Sequence, residues 1–488
     1  MSDAALEGHD SVRSPLEADL EDRLPVSIKA SWGVGAFGVA ILSNATSGLI
    51  IYYLGKIVGM PLWLAGLLLS LTRIIDAVND PLMGWVSDRT SSKFGGRRRP
   101  YLLAGAIMST ISILLLFNVP FRGDSWMTTA WVLFVLIFYG MAYSTFNVPF
   151  IAMPAEMTQG YHERSSIHGY RVIFSGIGIA TALSGSGILL AWLSGGKKVA
   201  GVQVNTAADY SLMSSIFAAL ILVSMLAAWR GTRDARMTER TITQLPWQAQ
   251  VSSFFRNKPF MTIMGVKALQ LIAVQSSQTA QFFMIVEVLK RSSSQVALVG
   301  LPMLATSIVA TPLLVAFSRR FGKRVSYALS SLFVATSYMS WILATPDEPL
   351  WVLPIRGILI GIGFAGNVMF AMSMITDAIE LDTHRTGMRR EAMYTAVFSF
   401  VEKFAGAAGP VIVGTALSVV GFSAKMDVTA ENYEAVRQAT LVGVAYIPAT
   451  CAILAAGLLC YYRLSAADLA AARAKSLVDR PLIEEVVA

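Results

Sequence analysis

Charge is what this chain has least of. Of its 488 residues only 14% are Asp, Glu, Lys or Arg, 39 basic and 31 acidic. A soluble chain of this length carries about 25% charge, roughly 120 residues. With 55% of the residues hydrophobic, there is more apolar side chain than a soluble core encloses, so hydrocarbon must be the solvent. That excludes a soluble enzyme, a disordered chain and a nucleic-acid binder. Cysteine is nearly missing too. Cys451 and Cys460 lie in one apolar stretch, and nine residues apart on a helix they cannot bond to each other, so there is no disulfide framework. The four histidines, His9, His162, His168 and His384, are dispersed without metal-ligand spacing. No Gly-x-Ser-x-Gly turn is present. Catalysis has no foothold here, and neither a cofactor nor a resident metal is implied. Gly33-Val34-Gly35-Ala36-Phe37-Gly38 and Gly361-Ile362-Gly363-Phe364-Ala365-Gly366 fit a dinucleotide fingerprint. They lie inside apolar runs, without the preceding strand and following acid that such a site needs, and read instead as helix-packing surfaces. The polar, acidic start of the chain lacks a short apolar core with a small-residue cleavage site, so it reads as a tail and not a signal peptide.

What is present is a series of long apolar runs. A spanning helix takes roughly 20 apolar residues. Runs bounded by charge predict helices over 28–55, 60–86, 100–120, 126–152, 168–195 and 209–230, then 259–289, 295–317, 325–345, 350–376, 392–421 and 438–462. The expectation is an all-α membrane protein of twelve transmembrane helices in two six-helix halves. Its parts are a tail at 1–27, a first half at 28–230, a connector at 231–258, a second half at 259–463 and a tail at 464–488.

The cations orient it. With both tails and the even-numbered loops on one side, 26 of the 39 Lys and Arg fall there and eight on the other. The remaining five, Arg73, Arg171, Lys267, Arg356 and Lys403, lie within spans. The positive-inside rule then puts both termini in the cytoplasm. The halves also echo each other. Ser87-Asp88-Arg89 through Phe94-Gly95-Gly96-Arg97 follows the second helix, and Ser318-Arg319-Arg320-Phe321-Gly322-Lys323-Arg324 the eighth. Glu156 precedes Arg164 by eight residues after the fourth helix, and Asp377 precedes Arg385 by eight after the tenth. Parallel motifs in matching loops imply a pseudo-twofold pair enclosing a site.

Three buried charges invite a chemical reading. Asp76 and Asp80 are four apart, hence on one face of the second helix. At ~1.5 Å per residue Asp76 lies ~15 Å and Asp80 ~9 Å from the cytoplasmic end, and Lys403 ~17 Å into the eleventh helix. A charge at helix centre costs ~2.5–3.5 kcal/mol on insertion scales, so these groups must face each other or water. One reading is a coupling-cation site, in which the carboxylates take Na⁺ or H⁺ and Lys403 competes when the ion is absent. The plainer reading is a permanent salt-bridge cluster, which does not need a second acid on the same face. In the loops, Asp88, Arg89 and Glu156 in the first half and Arg319, Asp377 and Arg385 in the second read as a cytoplasmic gate. Exposed pairs worth ~0–1 kcal/mol each suit a reversible switch.

Gly84-Trp85-Val86-Ser87-Asp88-Arg89 running to Gly95-Gly96-Arg97-Arg98-Arg99-Pro100 resembles the signature between helices two and three of the major facilitator superfamily. Gly35-Ala36-Phe37-Gly38, Arg73-Ile74-Ile75-Asp76-Ala77-Val78-Asn79-Asp80-Pro81 and Lys403 resemble the glycoside–pentoside–hexuronide:cation symporter branch, melibiose carriers in particular, while the basic loop is closer to plant sucrose carriers. The resemblance implies cation-coupled symport of a sugar or glycoside by alternating access, by a monomer in a bacterial inner membrane, with no cofactor beyond the H⁺ or Na⁺. It implies a coupling site of Asp76, Asp80, Asn147 and Lys403, and an arginine, Arg171, for sugar hydroxyls. Asn44, Tyr143 and Phe364 complete the candidate solute contacts, the two aromatics as ring-stacking surfaces, for which Trp63 is also a candidate. Three positions depart from the melibiose-carrier pattern: Ala40 and Asn147 stand where those carriers have acids, and Ile151 where they have an aromatic. One anion fewer removes a hard ligand for Na⁺, which tilts the expectation toward H⁺. Animal lysolipid carriers share the helix-two acids and the helix-eleven lysine, so an amphipathic solute such as lysolipid is the alternative.

Overall fold

The computed structural model describes residues 24–45, 49–90, 98–158, 161–195, 198–199, 202–203, 205–233, 235, 257–386, 391–422, 431–464, 468–469 and 471–472. The first half holds α1 (Val26–Ala45, resumed at Leu49–Tyr52 and ending in a π-turn, Tyr53–Val58), α2 (Leu62–Arg89), α3 (Arg99–Leu116), α4 (Trp126–Met157), α5 (Tyr161–Ala180, a π-turn at Thr181–Gly185, then Ser186–Leu193) and α6 (Ala207–Gly231). A two-stranded hairpin, β1 (Lys198–Val199) and β2 (Val202–Gln203), sits between α5 and α6. The second half holds α7 (Lys258–Phe283, then a π-turn at Met284–Val288), α8 (Ala297–Phe321), α9 (Lys323–Met339), α10 (Val352–Thr386), α11 (Glu391–Val419) and α12 (Tyr433–Leu441, a π-turn at Val442–Tyr446, then Ile447–Leu459). Most of the connector lies outside the described residues, as do the loop motif at 91–97 and the first 23 residues.

Among the described residues, eleven of these helices are long and apolar enough to cross a membrane. The twelfth, α9, has 17 α-helical residues rich in Ser and Tyr and continues into a 3₁₀ turn at Ser340–Leu343. Together they span ~30 Å at helical rise, about a bilayer core. Several helices overrun their apolar runs. α4 reaches Met157 and α10 reaches Thr386, because backbone hydrogen bonding continues in water after the hydrocarbon stops. The two glycine runs lie in α1 and α10, where Gly38 abuts Ser224 of α6 and Gly361 abuts the Met303 backbone of α8.

The start of α1 meets that of α5, the start of α3 meets the ends of α4 and α6, and the start of α9 meets the end of α10; this end of the bundle is called the tail face and the other the far face. The joins between the halves run from the far face to mid-depth. α2 lies against α11 so closely that a Cβ on Gly66 would collide with the Pro410 carbonyl, and one on Gly414 with that of Leu62. The Ser70 hydroxyl donates to the Ala407 carbonyl, and the Trp63 N–H donates to Ser418 Oγ at 2.9 Å. The Ser293 hydroxyl, just before α8, donates to the Gly187 carbonyl of α5 at 2.9 Å. At the tail face the ion pairs stay within halves. Lys29 meets Glu163 at 2.8 Å and Arg98 meets Glu156 at 2.9 Å in the first half; Lys323 meets Asp377 at 2.6 Å in the second.

The π-turns of α1 and α7 carry a latch across the far face. The Tyr52 hydroxyl donates to Glu287 Oε1 at 2.8 Å, and Lys56 Nζ lies 3.4 Å from the same oxygen. Lys56 also lies 4.8 Å from the centre of the Phe422 ring. Removing one partner of a buried pair costs ~3–5 kcal/mol because the other is left unpaired. Glu287→Gln is therefore expected to loosen the far face, so that Leu49→Cys, in the cavity beneath, reacts at least tenfold faster with an impermeant maleimide added from that side. Unchanged reactivity would show that the latch does not hold the closure.

Candidate functional site

The charges of α2 follow from its turn spacing. Arg73, Asp76 and Asp80 recur every three or four residues and so line one strip, as Thr72 does with Asp76 four residues on. Lys403 of α11 reaches that strip from the other half, pairing with Asp80 and donating to the Asp76 backbone carbonyl at 2.8 Å. The Ser144 hydroxyl of α4 donates to the other Asp80 oxygen at 2.6 Å. Asp80 is thus satisfied from two helices. Asp76 is not: it is only 6% exposed, and its Oδ1 has no hydrogen-bond partner. The charges acting on it are Arg73, Lys403 and Asp80. Arg73, Lys403, Asp76 and Asp80 form the cluster, and Glu402 adds a further charge that acts on the adjoining Tyr143.

Against Asp76 lies a cavity of about 20 Å³ lined by Thr72, Arg73 and Tyr139 of the first half and by Gln275 and Pro410 of the second. A water needs ~10–15 Å³ of such space, so this one holds about one water or one bare ion. Its walls come from both halves, and a guest there touches both. Asp76 Oδ1 presses on α4 where residue 140 is glycine; a Cβ at Gly140 would collide with that oxygen.

The Lys403–Asp80 pair is only partly buried, with side chains 15% and 22% exposed, so removing one partner costs less than the ~3–5 kcal/mol of a fully buried pair. Lys403→Met is expected to lower the unfolding midpoint in detergent, and adding Asp80→Asn to recover most of the loss. Equal destabilisation of single and double variants would show that Lys403 acts through packing alone.

Beside this cluster a second cavity of about 200 Å³ opens within the first half, lined by Ala40, Ser43, Asn44, Tyr143, Asn147 and Arg171 among others. Asn147 Nδ2 donates to the Tyr143 hydroxyl at 3.2 Å, and Asn44 Nδ2 to the Ala40 carbonyl at 2.9 Å. Arg171 has no carboxylate partner among the described residues, so its fork of donors is available to a guest. A third cavity of about 300 Å³ runs between the halves and includes Phe364, Trp341 and Phe282. Asn44 and Ile179 line both larger cavities, which therefore adjoin. Tyr143 bridges cluster and cavity, near enough for the charges of Asp80 and Arg73 to act on it.

Of the residues picked from sequence, Asp76, Asp80 and Lys403 come together. Asn44, Tyr143, Arg171 and Asn147 line one cavity, so Asn147 sits with the solute candidates and not in the Asp76 cavity. Phe364 lines the adjoining one. Trp63 stands apart, 48% exposed on the far face. Among the gate residues, Glu156 and Asp377 pair with Arg98 and Lys323, at the starts of α3 and α9. Arg89 stacks on Trp85 at 4.1 Å, Arg319 and Arg385 are exposed, and the Asp88 side chain lies outside the described residues. Sequence reasoning passed over Gly140, Tyr139, Gln275 and Glu287. Glu287 alone left a signal, an acid at the end of an apolar run.

Two six-helix halves enclosing a cavity between them, with charges buried at mid-depth, define a membrane carrier and not an enzyme. The chain belongs to the MFS/sugar transport protein family, whose model matches residues 31–466. An uncharacterized symporter of Synechocystis is 26% identical over 478 residues, covering 83% of this chain and 88% of that protein. A glucuronide carrier protein homolog of Escherichia coli is 25% identical, covering 85% of this chain and 88% of its own length. The fold matches a crystal structure of a bacterial homolog of the human lysosomal transporter Spinster with a TM-score of 0.61 at 16% identity, over 93% of this chain and 99% of that one.

Proposed function

We propose that this protein is a symporter that couples entry of one cation to uptake of a sugar or glycoside by alternating access. The tail face is cytoplasmic in this reading, so closure at the far face makes the described state inward-facing. The observation that carries it is Asp76: a buried carboxylate with one unpartnered oxygen, in a one-guest cavity walled by both halves. A proton suits that oxygen, because a sodium ion there would sit beside Arg73. A protonated Asp76 carries no charge, so it can stay buried in that cavity without a cationic partner as the halves rearrange. Lys403 holds Asp80 when the ion has left. The solute lies in the Arg171 cavity, coupled through Tyr143, and binding at each site favours the same closure. The sugar reading is supported by the family and by the glucuronide carrier homolog, a relative named for such a solute.

The test is uptake into proteoliposomes of disaccharides, glucosides, hexuronates and lysolipids under separate H⁺ and Na⁺ gradients. Accumulation of a sugar or glycoside driven by the H⁺ gradient supports the reading. Competition by lysolipid and by no sugar, or flux that neither saturates nor responds to either ion, overturns it.

A further inference from the structure

The turn between α8 and α9 carries four cations within six residues, Arg319, Arg320, Lys323 and Arg324. Every residue from Arg319 to Val325 is exposed. Lys323 is held by Asp377 at 2.6 Å. Arg319, Arg320 and Arg324 make no ion pair among the described residues. At the matching end of the first half the arginines are tied to the bundle. There Arg98 pairs with Glu156 at 2.9 Å and Arg99 donates to the Trp229 carbonyl at 2.8 Å. Arg319, read from sequence as part of a gate, has no such tie.

The surface beside these cations is apolar. The membrane span that begins at Ser293 ends at Phe321, so the arginines stand where hydrocarbon gives way to headgroups. Leu313, Phe317 and Phe321 recur every four residues along α8 and are exposed, as are Val325 and Leu329 at the start of α9. The Phe317 and Phe321 rings pack with centres 4.5 Å apart. The Arg320 guanidinium lies 5.5 Å from the centre of the Phe321 ring.

We infer that this turn binds an anionic glycerophospholipid, with its phosphate on Arg319, Arg320 and Arg324 and an acyl chain along the Phe317–Phe321 strip. The inference goes beyond the symporter reading and needs neither its ion nor its solute. A guanidinium fork meets two phosphate oxygens at once, and the one lysine of the turn is already engaged. An anionic membrane surface attracts cations set at the end of a spanning helix. Phosphatidylethanolamine brings its own ammonium, which three guanidiniums repel, so it is the poorer guest. Free phosphate has no chain to cover the phenylalanines, which favours the lipid over a soluble anion.

The experiment titrates the full-length protein in mild detergent with phosphatidylglycerol, phosphatidylethanolamine or glycerol phosphate, and reads bound lipid by native mass spectrometry. Phosphatidylglycerol is expected to bind at least tenfold more tightly than phosphatidylethanolamine, and glycerol phosphate at equal concentration should not displace it. Each arginine near an anionic surface contributes about fivefold. Arg319→Gln, Arg320→Gln and Arg324→Gln together should therefore weaken phosphatidylglycerol at least tenfold. Arg233→Gln, Lys258→Gln and Arg463→Gln together remove the same charge from exposed positions on the tail face and should leave its affinity unchanged. Equal binding of the two lipids, displacement by glycerol phosphate, or the same affinity in both triple variants overturns the inference. All three results leave the symporter reading in place.

Discussion

Asp76→Asn is expected to abolish concentrative uptake, by a hundredfold or more, while solute counterflow stays within severalfold of the parent. Asn has the shape of Asp and none of its charge, so packing against α4 and the hydrogen bond from Lys403 to the residue 76 carbonyl are retained. What is lost is the group that takes up and releases the ion. A carrier with that group permanently neutral can still carry solute between faces, but no gradient drives it. Both assays are run on the same proteoliposomes, which separates loss of coupling from loss of folding. Full uphill transport by Asp76→Asn would remove the ion from this site.

Gly140→Val should produce the same defect with every charge in place. A Cβ at residue 140 would collide with Asp76 Oδ1, and interiors packed like crystals have little slack to absorb it. The carboxylate must swing out of its cavity or the helices must part, and overpacking of this kind costs ~1–3 kcal/mol. Ion-driven accumulation is expected to fall at least tenfold. Gly176→Ala, on α5, has open space for its Cβ and serves as the comparison with unchanged uptake. If Gly140→Val accumulates solute as well as Gly176→Ala does, the close approach of α4 to Asp76 has no part in coupling.

The architecture was legible because solvent dictates it: each apolar run had to become a helix, and each charged break a loop. The meeting of Asp76, Asp80 and Lys403 was legible for a related reason. Charges placed ~15 Å into a bilayer by helical rise have few partners except one another; depth matched Lys403 to Asp76, whereas its ion pair is with Asp80 and only the Asp76 backbone carbonyl accepts from it. Depth does not say which side of the cluster a neutral residue faces. Asn147 therefore went to the ion site by resemblance, while the structure sets it with Tyr143 and Arg171. Gln275 and Gly140 were invisible because their roles arise from contact between helices, α7 with α2 and α4 with α2. No pattern along a single helix records that. The ends of α4 and α10 were misjudged because hydropathy marks the membrane and not the helix. Of the acids read as a gate, Glu156 and Asp377 pair with Arg98 and Lys323, cations that the loop reading counts among the orienting charges.

The account stands or falls on whether solute moves an ion through Asp76. Proteoliposomes loaded with a pH-sensitive dye, with no imposed gradient, answer this directly when a transported glycoside is added outside. Inward proton movement that follows the glycoside in the parent and vanishes in Asp76→Asn is the predicted result. Proton movement of the same size in Asp76→Asn, with glycoside entering both, would contradict it.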